Sequence, residues 1–242
     1  MSFARDGCAV FPYDAAVARW AAAAADVGRA VLTAEGERRH GGTWFVGVDA
    51  LPNAGDGSVA GVPLRGAWLS QVHAPPRWHS AQLSVVFPGY PQQDANESDA
   101  AHRYRRDRAA AHVDGLLPIG PQRRRFLKEP HSFIAGFPLD DCAQSPLVVW
   151  PGSHLVMGRA FANAFAGHSA ADWADIDVTD IYQAARREIF ANGAPVPLIA
   201  RPGQVILLHR HLLHGVAPWG DGLGPQRMVA YFRPLMAIED WL

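Results

Sequence analysis

In the segment Ala109-Ala110-Ala111-His112-Val113-Asp114-Gly115 an imidazole and a carboxylate stand two positions apart. On an extended strand, residues i and i+2 project from one face, so His112 and Asp114 can converge on one ion. Taken alone, such a pair arises by chance and reads equally as a hydrogen-bonded surface pair. A later segment adds to it. Arg201-Pro202-Gly203-Gln204 reads as a turn, Val205 to Leu208 as an apolar strand, and His209, His211 and His214 follow within six positions. A buried imidazole must find hydrogen-bond partners or coordinate something. On chemical grounds any of the three could join His112 and Asp114. Thirteen positions after His214, Arg227 enters the apolar run Met228 to Phe232, where a guanidinium could clamp a carboxylate bidentately. Two histidines and one carboxylate on one face of an octahedral ion leave three positions open, the facial triad of nonheme Fe(II) oxygenases. A 2-oxo acid suits that order, with its keto acid end on two open positions, its far carboxylate at the arginine, and one position left for dioxygen.

Such side chains need a scaffold. The chain has 242 residues, 49% hydrophobic, with 22 Lys+Arg against 23 Asp+Glu and a formal net charge of -1. That is enough apolar surface for a sizeable core, and one domain spanning residues 1–242 is expected. The balanced charge excludes a dedicated nucleic-acid binder, which needs a basic excess. Two cysteines, Cys8 and Cys142, are too few for a disulfide framework or a four-thiolate site, whereas eleven histidines leave imidazole and carboxylate as the metal chemistry. Arg19, Asp26 and Arg29 interrupt the apolar stretch Ala15 to Leu32, so it reads as neither a membrane span nor a secretory core, and a cytoplasmic protein is expected. Asp14 suits the cap of a helix over Ala15 to Val27, within an N-terminal helical region of about residues 14–30. Short apolar runs between Pro and Gly clusters then predict strands over Thr43 to Val48, Ala67 to Val72, Gln82 to Phe87, Phe133 to Phe137, Leu147 to Trp150, Val196 to Ala200, Val205 to Leu208 and Met228 to Phe232. This pattern points to a mainly β sandwich or barrel. Helical patches over Leu155 to Phe165 and Thr179 to Ala191 form an insertion of about residues 155–192 that could serve as a lid, with Ser153 placed to cap the first.

With these pieces in place the chain resembles the Fe(II)- and 2-oxoglutarate-dependent dioxygenases of the phytanoyl-CoA dioxygenase-like group. The resemblance rests on His112-Val113-Asp114-Gly115, on Pro146-Leu147-Val148-Val149-Trp150-Pro151-Gly152-Ser153-His154, and on Pro202-Gly203 through His214-Gly215 followed by Arg227, and it covers about Gln82 to Pro234. It implies a double-stranded β-helix, a cupin-like jelly-roll barrel with flanking helices and the metal in one mouth. It places His112, Asp114 and His214 on Fe(II) as the catalytic centre and Arg227 on the 2-oxoglutarate carboxylate, with dioxygen as the other co-substrate. Gln82, on the strand ahead of the motif, is a further candidate for a 2-oxoglutarate contact. The implied activity is hydroxylation of a small-molecule substrate with release of succinate and CO2. Gln204 and Val216 depart from the Asp and Ser that the family often carries there.

His209 and His211 then read as core or supporting histidines. Arg103, Arg105, Arg106, Arg108, Arg123, Arg124, Arg125 and Lys128 flank the His112–Asp114 pair. They read as a solvated surface partly paired with Asp99 and Asp107, or as a rim that attracts an anionic substrate. Two other functional classes fit the residues: a Zn(II)-dependent hydrolase or isomerase on a cupin-like barrel, with no special role for Arg227, and a non-catalytic metal-binding protein.

Overall fold

The computed structural model describes residues 1–242, the side chain of Glu35 excepted. Its strands are β1 (Cys8–Phe11), β2 (Trp44–Leu51), β3 (Ala81–Val86), β4 (Leu116–Ile119), β5 (Arg124–Leu127), β6 (Phe133–Pro138), β7 (Leu147–Val149), β8 (Val196–Leu198), β9 (Val205–His209), β10 (His214–Val216) and β11 (Arg227–Phe232). Its α-helices are α1 (Phe3–Asp6), α2 (Ala15–Glu35), α3 (Asp99–Arg108), α4 (Ser153–Phe165) and α5 (Thr179–Asn192). Six strands form one sheet in the order β1-β9-β6-β11-β3-β2, three form a second in the order β10-β7-β8, and β4 pairs with β5. All of these pairings are antiparallel. An isolated bridge between His112 and His214 continues the smaller sheet beyond β10. The result is a mainly β jelly roll with flanking helices.

Period-two alternation sorts the side chains of each strand between two apolar layers. In β9, Val205 and Leu207 join Trp20 and Ala24 of α2 on the outside of the large sheet. Ile206 and Leu208 point the other way and meet Leu147 and Val149 of β7 between the two sheets. β11 does the same: Met228, Ala230 and Phe232 face α2, whereas Val229 and Tyr231 face inward. A third layer packs Val148 and Trp150 against Met157 and Phe161 of α4 and Ile189 of α5. Helices therefore cover the outer face of each sheet.

The Asp14 side chain accepts a hydrogen bond from the Ala16 N–H at 2.7 Å, capping α2 as expected. The helix runs past Val27 to Glu35 because Val27, Val31 and Leu32 continue the apolar stripe against the core. Gly28 lies inside that stripe, where an added Cβ would sit 3.1 Å from Met228 Sδ. Two expectations are corrected, and one helix is new. Ala67 to Val72 is a 3-10 helix over Ala67–Gln71 in place of a strand, with Trp68 buried beneath it and the Ser70 hydroxyl donating to the Ala67 carbonyl at 2.8 Å. Ser153 does not cap α4: Gly152 holds that position, and the Ser153 hydroxyl instead accepts the Leu213 N–H at 3.0 Å. Helix α3 was not foreseen, since its only hydrophobic residues are Ala100, Ala101 and Tyr104. No helix is long and apolar enough to cross a membrane.

Candidate metal centre and its cavity

His112 and Asp114 share a face because Val113 between them turns outward into the layer beneath α4 and α5. His214 arrives from β10 and is locked opposite by backbone hydrogen bonds in both directions between residues 112 and 214, at 2.8 and 3.0 Å. The backbones meet this closely because Gly115 and Gly215 lack side chains. A Cβ on Gly215 would lie 2.1 Å from the Ala109 carbonyl oxygen, and one on Gly115, which also has φ +85°, 2.1 Å from that of Glu129.

One donor atom from each of His112, Asp114 and His214 lies within 4.8 Å of the other two. The Asp114 Oδ1 is 3.1 Å from His112 Nε2 and 3.7 Å from His214 Nε2. Each imidazole is oriented from behind. His112 Nδ1 lies 3.0 Å from the Ala110 carbonyl oxygen, and His214 Nδ1 lies 2.9 Å from that of Leu212. A carbonyl can only accept, so Nδ1 carries the proton and Nε2 keeps its lone pair directed inward. Two inward Nε2 atoms and one carboxylate gathered on one side form the donor set that a six-coordinate divalent transition metal with open positions requires.

Burial pushes the Asp114 carboxyl up, but in acid, where the facing imidazoles take up a second proton, the hydrogen bond from His112 and the charges of His214, His112 and Arg233 outweigh it and hold the group well below the usual carboxylate range. Asp114 is therefore an anion at neutral pH. Burial lowers His214 to about 4, keeping it neutral and able to ligate. His112 stands at the mouth, with its side chain half exposed.

The three residues line a cavity of about 500 Å³ that opens between the sheets. Gln82 and Ser84, which alternate inward from β3, line it, as do Tyr231 and Arg233. Arg227 does not line this cavity. It is buried at the far end of the same inward row of β11, in a crevice shared with Asp140 and Cys142. Its Nη2 lies 3.4 Å from the Tyr231 hydroxyl, and its Nη1 has no hydrogen-bond partner. Tyr231 thus stands between the guanidinium and the cavity. Asp140 beside it accepts the Met228 N–H at 2.9 Å and is pushed up by burial to about 6.

The arginine that does reach the candidate ligands is Arg233, whose Nη1 is 3.6 Å from Asp114 Oδ2 and whose Nε has no partner. Sequence reasoning passed over it, although the signal was available: Arg233 directly follows β11, six positions after Arg227, and continued alternation sets it on the same inward row. His209 and His211 are not brought to the cavity. His209 Nδ1 accepts the His211 N–H at 3.1 Å, and His211 packs against Trp241 with ring centroids 4.4 Å apart.

The flanking basic residues divide. Arg106 pairs with Asp107, Arg124 with Asp177 and Asp180, and Lys128 with Asp175. Asp99 is not among the partners of these residues; its carboxylate accepts from Gln93. Arg105 is held by Glu97 at 3.2 Å.

No protein-family profile and no curated protein sequence matches the chain. Solved structures do. The non-heme alpha-ketoglutarate-dependent carbocyclase SnoK from nogalamycin biosynthesis superposes with a TM-score of 0.54 at 18% identity, covering 96% of this chain and 81% of that one. The apo form of EctD from S. alaskensis gives a TM-score of 0.47 at 18% identity, covering 95% and 73% of the respective chains. The epimerase SnoN in complex with Fe3+, alpha-ketoglutarate and nogalamycin RO gives 0.45 at 17% identity, covering 96% and 80%. The chain shares with SnoK the jelly-roll fold of a non-heme, alpha-ketoglutarate-dependent enzyme.

Proposed function

We propose that the protein is an Fe(II)- and 2-oxoglutarate-dependent oxidative enzyme acting on a small molecule, with His112, Asp114 and His214 as its metal ligands. The observation that carries this reading is the convergence of two inward Nε2 lone pairs and one carboxylate, within 4.8 Å, at the wall of a cavity of about 500 Å³. The fold shared with SnoK supports it. Dioxygen is the oxidant, and iron and 2-oxoglutarate, when bound, would activate it, with 2-oxoglutarate itself oxidised to succinate and CO2. The chain supplies the ligands and an open-mouthed cavity whose walls orient a substrate.

For the co-substrate, Arg227 is the proposed partner of the far carboxylate. Its Nη1 is an unpartnered buried donor, and Tyr231 separates it from the cavity, so this contact requires the Tyr231 side chain to turn aside and let the carboxylate reach the guanidinium. Gln82 is proposed to contact the same molecule from the neighbouring strand. Arg233 is proposed to orient Asp114 through Oδ2, leaving Oδ1 for the ion. Hydroxylation is the proposed outcome. A fold shared with a carbocyclase makes ring closure the competing oxidative outcome, and product analysis separates the two.

Anaerobic addition of Fe(II) and 2-oxoglutarate is expected to give a weak visible charge-transfer band that Asp114→Ala abolishes. An absent band in the wild-type protein, with metal binding unchanged in Asp114→Ala, overturns the reading. A Zn(II) hydrolase is distinguished by metal analysis of protein purified without added metal and by the absence of oxygen-dependent succinate formation.

A further inference from the structure

The wall of the cavity opposite the large sheet holds two arginines whose charge is unanswered. Arg125, from β5, and Arg186, from α5, both line the cavity that contains the metal ligands. Among the described residues neither has a carboxylate within ion-pairing distance, whereas Arg105, Arg106, Arg124 and Lys128 around them all do. Arg125 spends one Nη1 donor on the Leu116 carbonyl at 3.0 Å. The Arg186 guanidinium lies 4.8 Å from the ring centre of Tyr104 and 5.2 Å from that of Tyr182. A guanidinium covered on its faces by aromatic rings keeps its N–H edge for an in-plane partner.

Two half-buried like charges beside each other are unfavourable unless an anion joins them. Burial, with Arg123 and Arg186 nearby, pushes the Arg125 guanidinium down. The same two tyrosines tie this wall to the metal ligands. The Tyr104 hydroxyl donates to the Ala111 carbonyl at 2.6 Å, and the Tyr182 hydroxyl accepts the Val113 N–H at 3.3 Å. An anion seated here lies against the segment that carries His112 and Asp114, apart from the crevice that holds Arg227.

We infer that Arg125 and Arg186 form an anion subsite that receives a carboxylate or phosphate group of the primary substrate, holding the rest of that molecule against the metal centre. The remaining wall, with Trp44, Ile134 and Leu208, suits an apolar body on that substrate. The inference rests on the proposed function, because it takes the bound molecule to be the substrate and not 2-oxoglutarate.

The test uses the full chain loaded with Zn(II) and 2-oxoglutarate, so that nothing turns over. It is titrated calorimetrically with 3-phenylpropionate, phenyl phosphate and the neutral 3-phenylpropanamide. At least one anion should bind about tenfold or more tightly than the amide, and Arg125→Gln and Arg186→Gln should each weaken it by about tenfold, a 1.4 kcal/mol change. Which anion is preferred separates a carboxylate substrate from a phosphate one. Arg106→Gln, on the paired outer surface, should leave binding unchanged, and Arg125→Lys should recover part of it. Zn(II) and 2-oxoglutarate affinities should stay as in the wild type. Equal binding of anions and amide overturns the inference, as does retained anion binding in both Gln variants or a loss of 2-oxoglutarate affinity in its place. If the wild type takes up no Zn(II) or 2-oxoglutarate, the proposed function fails. Titrating the same probes into the metal-free protein then judges the subsite separately.

Discussion

The Nδ1 atoms of His112 and His214 each face the carbonyl two residues upstream, and that contact decides which nitrogen is left for an ion. Arg227 and Asp140 make a second informative pair of residues. Arg227→Met is expected to raise the 2-oxoglutarate concentration for half-maximal binding by about tenfold or more, the loss of a charge-assisted pair, while metal affinity stays unchanged. Equilibrium titration of the Zn(II)-loaded variant checks both. Asp140 has its folded pKa raised to about 6 by burial, so it favours the folded state at low pH and opposes it as pH rises through 6. Asp140→Asn is therefore expected to raise Tm at pH 8 and to leave it nearly unchanged, or lower, at about pH 3.5, below the ordinary carboxylate value, as thermal melts at the two values would show. Much of this site was legible in the chain. The spacing of His112 and Asp114 sets them on one face whatever else the fold does, and inward alternation along one strand puts Arg227 in the barrel. Residue chemistry alone left His209, His211 and His214 open; the family resemblance selected His214, and backbone pairing with residue 112 is the physical reason that imidazole faces it. The side-by-side placement of Arg125 and Arg186, which come from different elements, needed the fold to be seen.

At the scale of elements, the site depends on how closely the segment before His112 can approach β10. Gly215→Ala would drive a methyl group into the Ala109 carbonyl, at 2.1 Å in the unrelaxed geometry. Overpacking of this kind costs about 1–3 kcal/mol, so denaturant unfolding should show a loss in that range together with weakened metal binding. Val216→Ala, one residue on, removes bulk without that clash and should lose less. Seven strands, β2, β3, β6, β7, β8, β9 and β11, were readable because apolar runs and turn residues bracket them, whereas β1, β4, β5 and β10, of three or four residues each, are too short to show a pattern. α3 was not readable either, since Arg103, Arg105, Arg106 and Arg108 carry no apolar stripe. What holds α3 in place is local: the Ser98 side chain accepts the Ala101 N–H at 3.3 Å, and Tyr104 reaches the Ala111 carbonyl. Ala67–Gln71 misled for a different reason. A short apolar run has no periodicity of its own, and whether it becomes a strand depends on having a neighbour to pair with.

Across the whole molecule, α2 covers one sheet and α4 with α5 the other, leaving the mouth as the place where polar groups collect. Away from it, His209 is lowered by burial to about 4, and His154 and His211 are also pushed down by burial. An unfolded chain takes up protons at these histidines below about pH 6.5 while the folded one does not. Stability should therefore be fully present above pH 6.5 and fall progressively toward pH 4. His209→Asn is expected to flatten that slope, measured as Tm against pH on metal-free protein so that loss of a ligand does not contribute.

The backbone bridge between residues 112 and 214 has a thermodynamic consequence for the chain as a whole. The ligands it joins are about a hundred residues apart in sequence, and bringing such distant points together in an unfolded chain is opposed by loop entropy. An ion bound by both would therefore be held by the folded state and hardly at all by the unfolded one. Mass action then makes the free ion a stabiliser, adding about 4 kcal/mol at a thousandfold excess over its Kd. Availability of the metal would set the lifetime of the fold as well as the activity of the site, so that a cell short of the ion would lose the protein to proteolysis instead of accumulating it in an inactive form.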